Sequence, residues 1–291
     1  MIELTNIFLI MLSPIKTYCI IGDPVQHSLS PLMQNAAFSA LGIKSSYISF
    51  RVPSRDLKTS IASLKSIGIA GFNVTIPHKI SIIQYLDELD NTASVSNAVN
   101  TVKNDGGKLV GYNTDIYGFI QPLYKRNIDF KGRKVLIIGA GGAAYAIVTA
   151  LSYEEGIAET IVVNRSSHNA SKLVQHALKL GLNTHKEEFG NLSKLASQSD
   201  LIINSTSIGL NNERSPIERD YINPNSIVYD IVYKPIETDL LRKAKEVNAR
   251  VVYGYEMLIA QGAQAFEIWT GCEAPIIAMK KALFGIFGEP K

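Results

Sequence analysis

The stretch Lys134-Val135-Leu136-Ile137-Ile138-Gly139-Ala140-Gly141-Gly142-Ala143-Ala144 decides how this chain folds. A short apolar run reads as a buried strand, a glycine-rich turn follows it, and the alanines beyond open a helix. In a dinucleotide-binding βαβ unit the first glycine makes the tight turn and the second lets backbone approach a pyrophosphate. A small third residue lets helix and strand pack closely. Gly139, Gly141 and Ala144 stand at those positions. The helix N-terminus then offers free N–H groups and the positive end of its dipole to phosphate. Tight packing alone also produces such turns, so the surroundings must decide.

The next strand, Thr160-Ile161-Val162-Val163, runs into Asn164-Arg165-Ser166. An NAD-specific unit places Asp or Glu here to bind the ribose 2′-hydroxyl. This chain has an amide, a guanidinium and a hydroxyl instead. A carboxylate would repel a 2′-phosphate, whereas Arg165 can clamp one. The pattern predicts NADP(H) rather than NAD; a solvated surface Arg165 is the competing reading. Further strands at Leu201–Asn204, Ile227–Asp230 and Arg250–Val252 extend the βαβ-rich region over about residues 131–252.

Upstream, strands and helices also alternate. Strands are expected at Tyr18–Ile21, Tyr47–Val52 and Gly71–Ile76. Helices are expected from Ser30-Pro31 to Gly42, over 55–67, and again from Pro77. Val99–Val102 and Lys108–Tyr112 flank Asp105-Gly106-Gly107, a hairpin signal. A helix over 116–126, with Pro122 inside it, links the halves, and the chain is helical again from Glu256. The fold class is therefore α/β with two domains: an N-terminal, mostly parallel α/β substrate domain and a Rossmann-type dinucleotide-binding domain. The expected boundaries are 1–115, completed by helices in 256–291, and 116–255.

Composition fits this reading. At 291 residues the chain suits two domains, and 46% apolar with 19% charged residues is ordinary for a globular protein. A net charge of +3 with no basic run gives no argument for nucleic acid or membrane. Cys19 and Cys272 lack metal-like or redox-like spacing and suit a reduced, cytoplasmic protein. The five histidines (His27, His78, His168, His176 and His185) make no metal-binding pattern, and no metal is expected. Ile7–Leu12 is apolar but too short to span a bilayer, and Glu3 precedes it where a signal peptide would be basic. Met11 is an alternative start.

Polar residues cluster where α/β folds place ligands, at strand ends and helix starts. The motifs His27-Ser28-Leu29-Ser30-Pro31, Asn73-Val74-Thr75-Ile76-Pro77-His78-Lys79, Ala98-Val99-Asn100-Thr101 and Asn113-Thr114-Asp115 precede the glycine-rich loop. Asn164-Arg165-Ser166, Asn204–Gly209, Asp230-Ile231-Val232-Tyr233 and Met257-Leu258-Ile259-Ala260-Gln261 follow it. Each is weak alone. In this order they resemble the shikimate dehydrogenase family over roughly residues 16–288.

The resemblance implies NADPH-dependent, reversible reduction of 3-dehydroshikimate to shikimate, on the route to chorismate and the aromatic amino acids. It implies Lys79 and Asp115 as the catalytic pair. An ammonium beside a ketone can donate a proton and stabilise developing alkoxide charge, and a carboxylate can orient it. By motif match Ser28 and Ser30 hold the substrate carboxylate, Thr75, Lys79, Asn100 and Asp115 meet its ring oxygens, and Tyr233 and Gln261 complete the pocket. Gly139, Ala140, Gly141, Gly142, Ala143, Asn164, Arg165, Ser166, Thr206, Ile231 and Gly254 match the cofactor side. Family members usually carry Gly or Ala where Asn97 stands, and Asp, Asn or Gly at Tyr253. The partners implied are a small-molecule substrate and either no second chain or one copy of itself. A quinate/shikimate dehydrogenase of broader specificity and a non-catalytic NADP-binding sensor are the rival readings. A glutamyl-tRNA reductase relative would need a reactive cysteine, and Cys19, inside a strand, does not suit that role.

Overall fold

The computed structural model describes residues 15–288, so the apolar run Ile7–Leu12 and the start at Met11 lie outside the described residues. The chain opens with β1 (Lys16–Gly22), whose last five residues are buried on both faces, as an inner strand of a covered parallel sheet requires. α1 (Ser30–Ala40) carries Pro31 in its first turn, where the missing N–H costs no helical hydrogen bond. β2 (Ser45–Arg51), α2 (Leu57–Ser66) and β3 (Gly71–Val74) follow.

The helix expected from Pro77 does not form. Residues 76–82 make successive turns and a short 3₁₀ helix covers Ile83–Tyr85. Tertiary bonds take the groups a helix would use: the Lys79 carbonyl accepts from Val99 N at 2.7 Å. His78 is drawn wholly into the core, its Nε2 2.6 Å from the Val52 carbonyl oxygen.

β4 (Glu88–Leu89), α3 (Asn91–Ser96), β5 (Thr101–Asp105) and β6 (Lys108–Tyr112) complete a first sheet of order β2-β1-β3-β5-β6-β4. β1 pairs parallel with β2 and β3, and β4 with β6. The predicted hairpin is present, with Asp105 opposite Lys108. β5 also runs antiparallel to β3, one such pair more than expected.

α4 (Asp115–Tyr124), with Pro122 near its end, leads to β7 (Lys134–Ile138) and α5 (Gly142–Ser152). β8 (Glu159–Val163), α6 (Ser167–Lys179), β9 (Thr184–Glu187), α7 (Leu192–Ser197), β10 (Leu201–Asn204) and β11 (Ile208–Asn211) come next. β12 (Ile227–Asp230), α8 (Asp239–Glu246) and β13 (Arg250–Tyr253) finish this region. Its sheet has the order β13-β12-β10-β7-β8-β9, and every pair is parallel. The chain starts at the centre, winds outward through β8 and β9, then crosses back to β10. That reversal opens a crevice beyond the carboxyl ends of β7 and β10, the place where doubly wound sheets bind ligands.

α9 (Gly254–Thr270) and α10 (Ile276–Phe287) return to the first sheet. Leu258, Phe266, Trp269, Met279 and Leu283 share one apolar cluster with Tyr18, Met33, Phe38 and Tyr47. Trp269 Nε1 donates to the Val102 carbonyl at 3.0 Å, which places this aromatic in the core and not in the cleft. Burial pushes the Cys19 thiol up to about 12, so it is inert. Among the described residues no helix is long and apolar enough to cross a membrane.

Candidate active site

A cleft of about 720 Å³ lies at the crevice, lined by loops beside both sheets, including Lys79 and Asn97 near the first and Gly139–Gly142, Arg165 and Thr206 near the second. Gly139 has φ +112°, a conformation closed to other residues, and a Cβ there would stand 2.5 Å from Ser205 Oγ. Gly141 caps α5, and a Cβ on it would meet no atom within 4 Å. The loop backbone is thus bare toward the cleft, at the amino end of a helix, as a phosphate cradle must be. Ala144 is fully buried, as close helix–sheet packing demands.

Of the other cofactor-side residues, Asn164, Arg165 and Thr206 line the same cleft, whereas Ala143, Ser166, Ile231 and Gly254 are not among its lining residues. Arg165 is exposed and lines the cleft. Asn164 Nδ2 donates to the Ser166 carbonyl at 3.0 Å, and Ser166 Oγ caps α6 by accepting from Asn169 N at 3.3 Å, so these two shape the turn that presents Arg165. The Thr206 hydroxyl donates to Asn204 Oδ1 at 2.6 Å and accepts from Ile208 N at 3.0 Å. Gly254 starts α9 against the carbonyls of Ile231 and Val232, where a Cβ has no room. Asn97 takes a left-handed φ of +50° at the end of α3, a conformation Asn tolerates better than most residues. Tyr253 stacks on Tyr255 with ring centroids 5.5 Å apart.

On the substrate side Lys79 Nζ forms an ion pair with Asp115 Oδ2, and the two side chains are 14% and 5% exposed. Asp115 Oδ1 accepts from Asn100 Nδ2 at 2.8 Å. The same amide lies 3.3 Å from Gln261 Oε1, which brings α9 into the cluster. Asn100 Oδ1 accepts from Thr114 N at 2.8 Å and Thr101 Oγ1 at 3.0 Å, so the side chain cannot rotate away. Asn73 Nδ2 donates to Thr101 Oγ1 at 3.0 Å, and Tyr47 Oη donates to Asn73 Oδ1 at 2.6 Å. The Ser30 hydroxyl lies beside the Tyr47 phenol, and the Ser28 hydroxyl beside the Tyr233 phenol. Burial pushes both phenols up, so they stay neutral. Thr75 stands just past β3, its methyl packed against Gly22.

Three family models match. That for the shikimate dehydrogenase substrate binding domain covers residues 20–102, that for shikimate / quinate 5-dehydrogenase covers 123–217, and that for the shikimate 5′-dehydrogenase C-terminal domain covers 254–284. A shikimate dehydrogenase (NADP(+)) of Nitrosopumilus maritimus is 50% identical over 272 residues, 94% of this chain and 99% of the relative. This chain belongs to the shikimate dehydrogenase family. A crystal structure of a shikimate dehydrogenase in complex with NADP+ is similar to it with a TM-score of 0.86 and 39% identity, over 94% of this chain and 96% of that one. The Thermus thermophilus enzyme in complex with NADP(H) and shikimate aligns with a TM-score of 0.81 and 34% identity, over 92% of this chain and 98% of that one.

Within this shikimate dehydrogenase fold, one connected hydrogen-bonded cluster holds Asn73, Asn100, Asp115, Lys79 and Gln261, with Ser30 beside its Tyr47 end and Ser28 beside Tyr233. Sequence reading missed Tyr47 as a member, and Asn73, Thr101 and Thr114 stood inside quoted motifs without a role. A polar side chain in the middle of a strand that must be buried was the available signal, since it requires a partner.

Proposed function

We propose that this chain catalyses the NADP(H)-dependent, reversible reduction of 3-dehydroshikimate to shikimate. The observation that carries the reading is the Lys79–Asp115 ion pair, buried beside a bare glycine-rich loop. Gly139–Ala143 and Asn164–Ser166 would hold the pyrophosphate and the 2′-phosphate of NADP(H), with Thr206, Ile231 and Gly254 along the rest of it. When bound, it supplies or accepts the hydride. Ser28 and Ser30 bind the substrate carboxylate, and Thr75, Asn100 and Asp115 its ring oxygens. Tyr233 and Gln261 close the pocket. A buried polar group left unpaired costs about 1–3 kcal/mol, which is why a polyhydroxylated acid needs such a ring of partners.

Lys79 Nζ donates its proton to the ketone oxygen and steadies the alkoxide as it forms. Asp115 faces Lys79 with one oxygen and Asn100 with the other, so it fixes the direction in which the ammonium points. In the oxidative direction the neutral amine accepts the hydroxyl proton. Residues 1–115 with 256–291 form the substrate domain in this reading, and 116–255 the nucleotide domain. The protein works in the cytoplasm as a monomer or homodimer.

Initial rates of shikimate oxidation test the reading, with NADP against NAD, shikimate against quinate, and wild type against Lys79→Ala. NADP with shikimate is expected to be the fastest pairing, and Lys79→Ala to lower kcat by about 10²- to 10⁴-fold. Equal rates with NAD would remove the role given to Arg165, and equal rates with quinate the specificity. A folded wild type inactive in all pairings would make the chain a sensor.

A further inference from the structure

Gly142 has no conformational need to be glycine. It is the first residue of α5, and its φ is not in the left-handed range. The reason for glycine lies in space. A Cβ at Gly142 would stand 2.8 Å from Lys79 Cβ, 3.1 Å from Cδ and 3.4 Å from Cγ, so its three nearest neighbours are all one side chain. The loop's other two glycines differ. At Gly139 the obstacle is the Ser205 segment of the same sheet, and at Gly141 there is none.

The Lys79 stem cannot simply swing aside. Its carbonyl is held by Val99 N at 2.7 Å, and the preceding side chain, His78, is fully buried. The atom struck first is Cβ, the part of the side chain tethered to the backbone, and its ammonium is committed to Asp115. Asp115 is in turn fixed by Asn100. An added methyl must therefore push the residue 79 backbone or the loop by an appreciable part of an ångström. Displacement of a reacting group by about 1 Å can cost about 10²-fold in rate.

We propose that Gly142 is a positioning residue for Lys79: the loop faces the cleft through Gly141 and walls the stem of the proton donor through Gly142. One loop thereby sets both the nucleotide and the ammonium, which couples the placement of hydride and proton. This deepens the dehydrogenase reading above and rests on it.

Gly142→Ala tests the inference, with Gly141→Ala beside it. Three results are expected. In the protein without nucleotide, acetylation of Lys79 by acetic anhydride, which releases acetate and is followed by peptide mass, speeds up severalfold in Gly142→Ala and not in Gly141→Ala. NADP+ affinity, measured by titration, falls more in Gly141→Ala than in Gly142→Ala. The kcat of Gly142→Ala for shikimate oxidation drops by at least about tenfold. The same substitution in a Lys79→Gly chain adds no further loss, because a displaced residue 79 no longer matters there. Equal losses in both backgrounds, or unchanged Lys79 acetylation, would overturn the proposal. Should Gly142→Ala fail to fold, Gly142→Ala with Lys79→Gly is expected to fold, since no stem remains; failure there too would also overturn it. An inactive wild type would count against the dehydrogenase reading, whereas an active wild type with an equally active Gly142→Ala would count against this inference alone.

Discussion

Asp230 sits at the end of β12 with its two oxygens fully engaged. Oδ1 accepts from Asn204 Nδ2 at 2.8 Å and from Val232 N at 3.0 Å, and Oδ2 from Thr238 Oγ1 at 2.7 Å. One carboxylate thus ties the carboxyl ends of β10 and β12 to the segment that carries Ile231 and Tyr233. Burial nevertheless outweighs those donors and pushes the carboxyl up to about 6. The folded state then holds the proton more tightly than the unfolded chain does. The stability that Asp230 contributes by being protonated is complete below the unfolded value near 4, and is lost as pH rises through about 6. A shift of about two units corresponds to at most about 3 kcal/mol. Urea unfolding of wild type and Asp230→Asn across pH 4 to 7 measures this. The stability of the wild type relative to the variant should fall by about 2–3 kcal/mol over that range. A difference constant with pH would show that the carboxyl titrates at its ordinary value.

At the scale of elements, what was legible in the sequence was local. Lys134–Ala144 carries its own strand, turn and helix signals, and the Asp105–Gly107 turn fixes the β5–β6 register through residues that are neighbours in the chain. What was illegible depended on partners far away. The turns after Pro77 replace a helix because Val52 and Val99 supply the competing hydrogen bonds. The short β4 exists only through its pairing with β6. In the site, Lys79 and Asp115 were legible through family motifs, whereas Tyr47 and Asn73 acquire their roles from partners distant in the chain, each other and Thr101. Helix packing supplies another non-local case. Gly118 lies on α4, one turn beyond Asp115, and a Cβ there would stand 2.6 Å from Gln261 Cβ and 3.0 Å from the Met257 carbonyl oxygen. Two helices that both deliver site residues meet at this glycine. Gly118→Ala should lower stability by about 1–3 kcal/mol through overpacking. It should also raise the KM for shikimate more than that for NADP+, because the displaced group is Gln261. Equal changes in both KM values would place the damage elsewhere.

Across the whole molecule the chain passes between the two sheets twice, along α4 and from β13 into α9. A staple joins the passages at the end away from Gly118. Arg126 Nη1 and Nη2 donate to Glu256 Oε2 and Oε1 at 2.8 and 2.7 Å. Glu256 Oε1 also accepts from Tyr253 N at 3.2 Å, and the Arg126 carbonyl accepts from Arg250 Nη2 at 3.1 Å. The side chains are 28% and 19% exposed, so salt screens the pair less than it screens a surface ion pair, and the fork geometry adds direction to its charge. With the close Gly118–Gln261 contact near one end and this staple at the other, α4 and α9 fix how the two sheets face each other, and hence the width of the cleft. Unfolding of Arg126→Ala, Glu256→Ala and the double variant should give a coupling energy of about 1–2 kcal/mol that survives in about 1 M salt. Loosened passages should also raise the KM for shikimate and for NADP+ together, in contrast to Gly118→Ala, since both ligands bridge the cleft whose width is at stake. A coupling energy that vanishes in salt would reduce the pair to a surface interaction and leave helix packing alone to set the cleft.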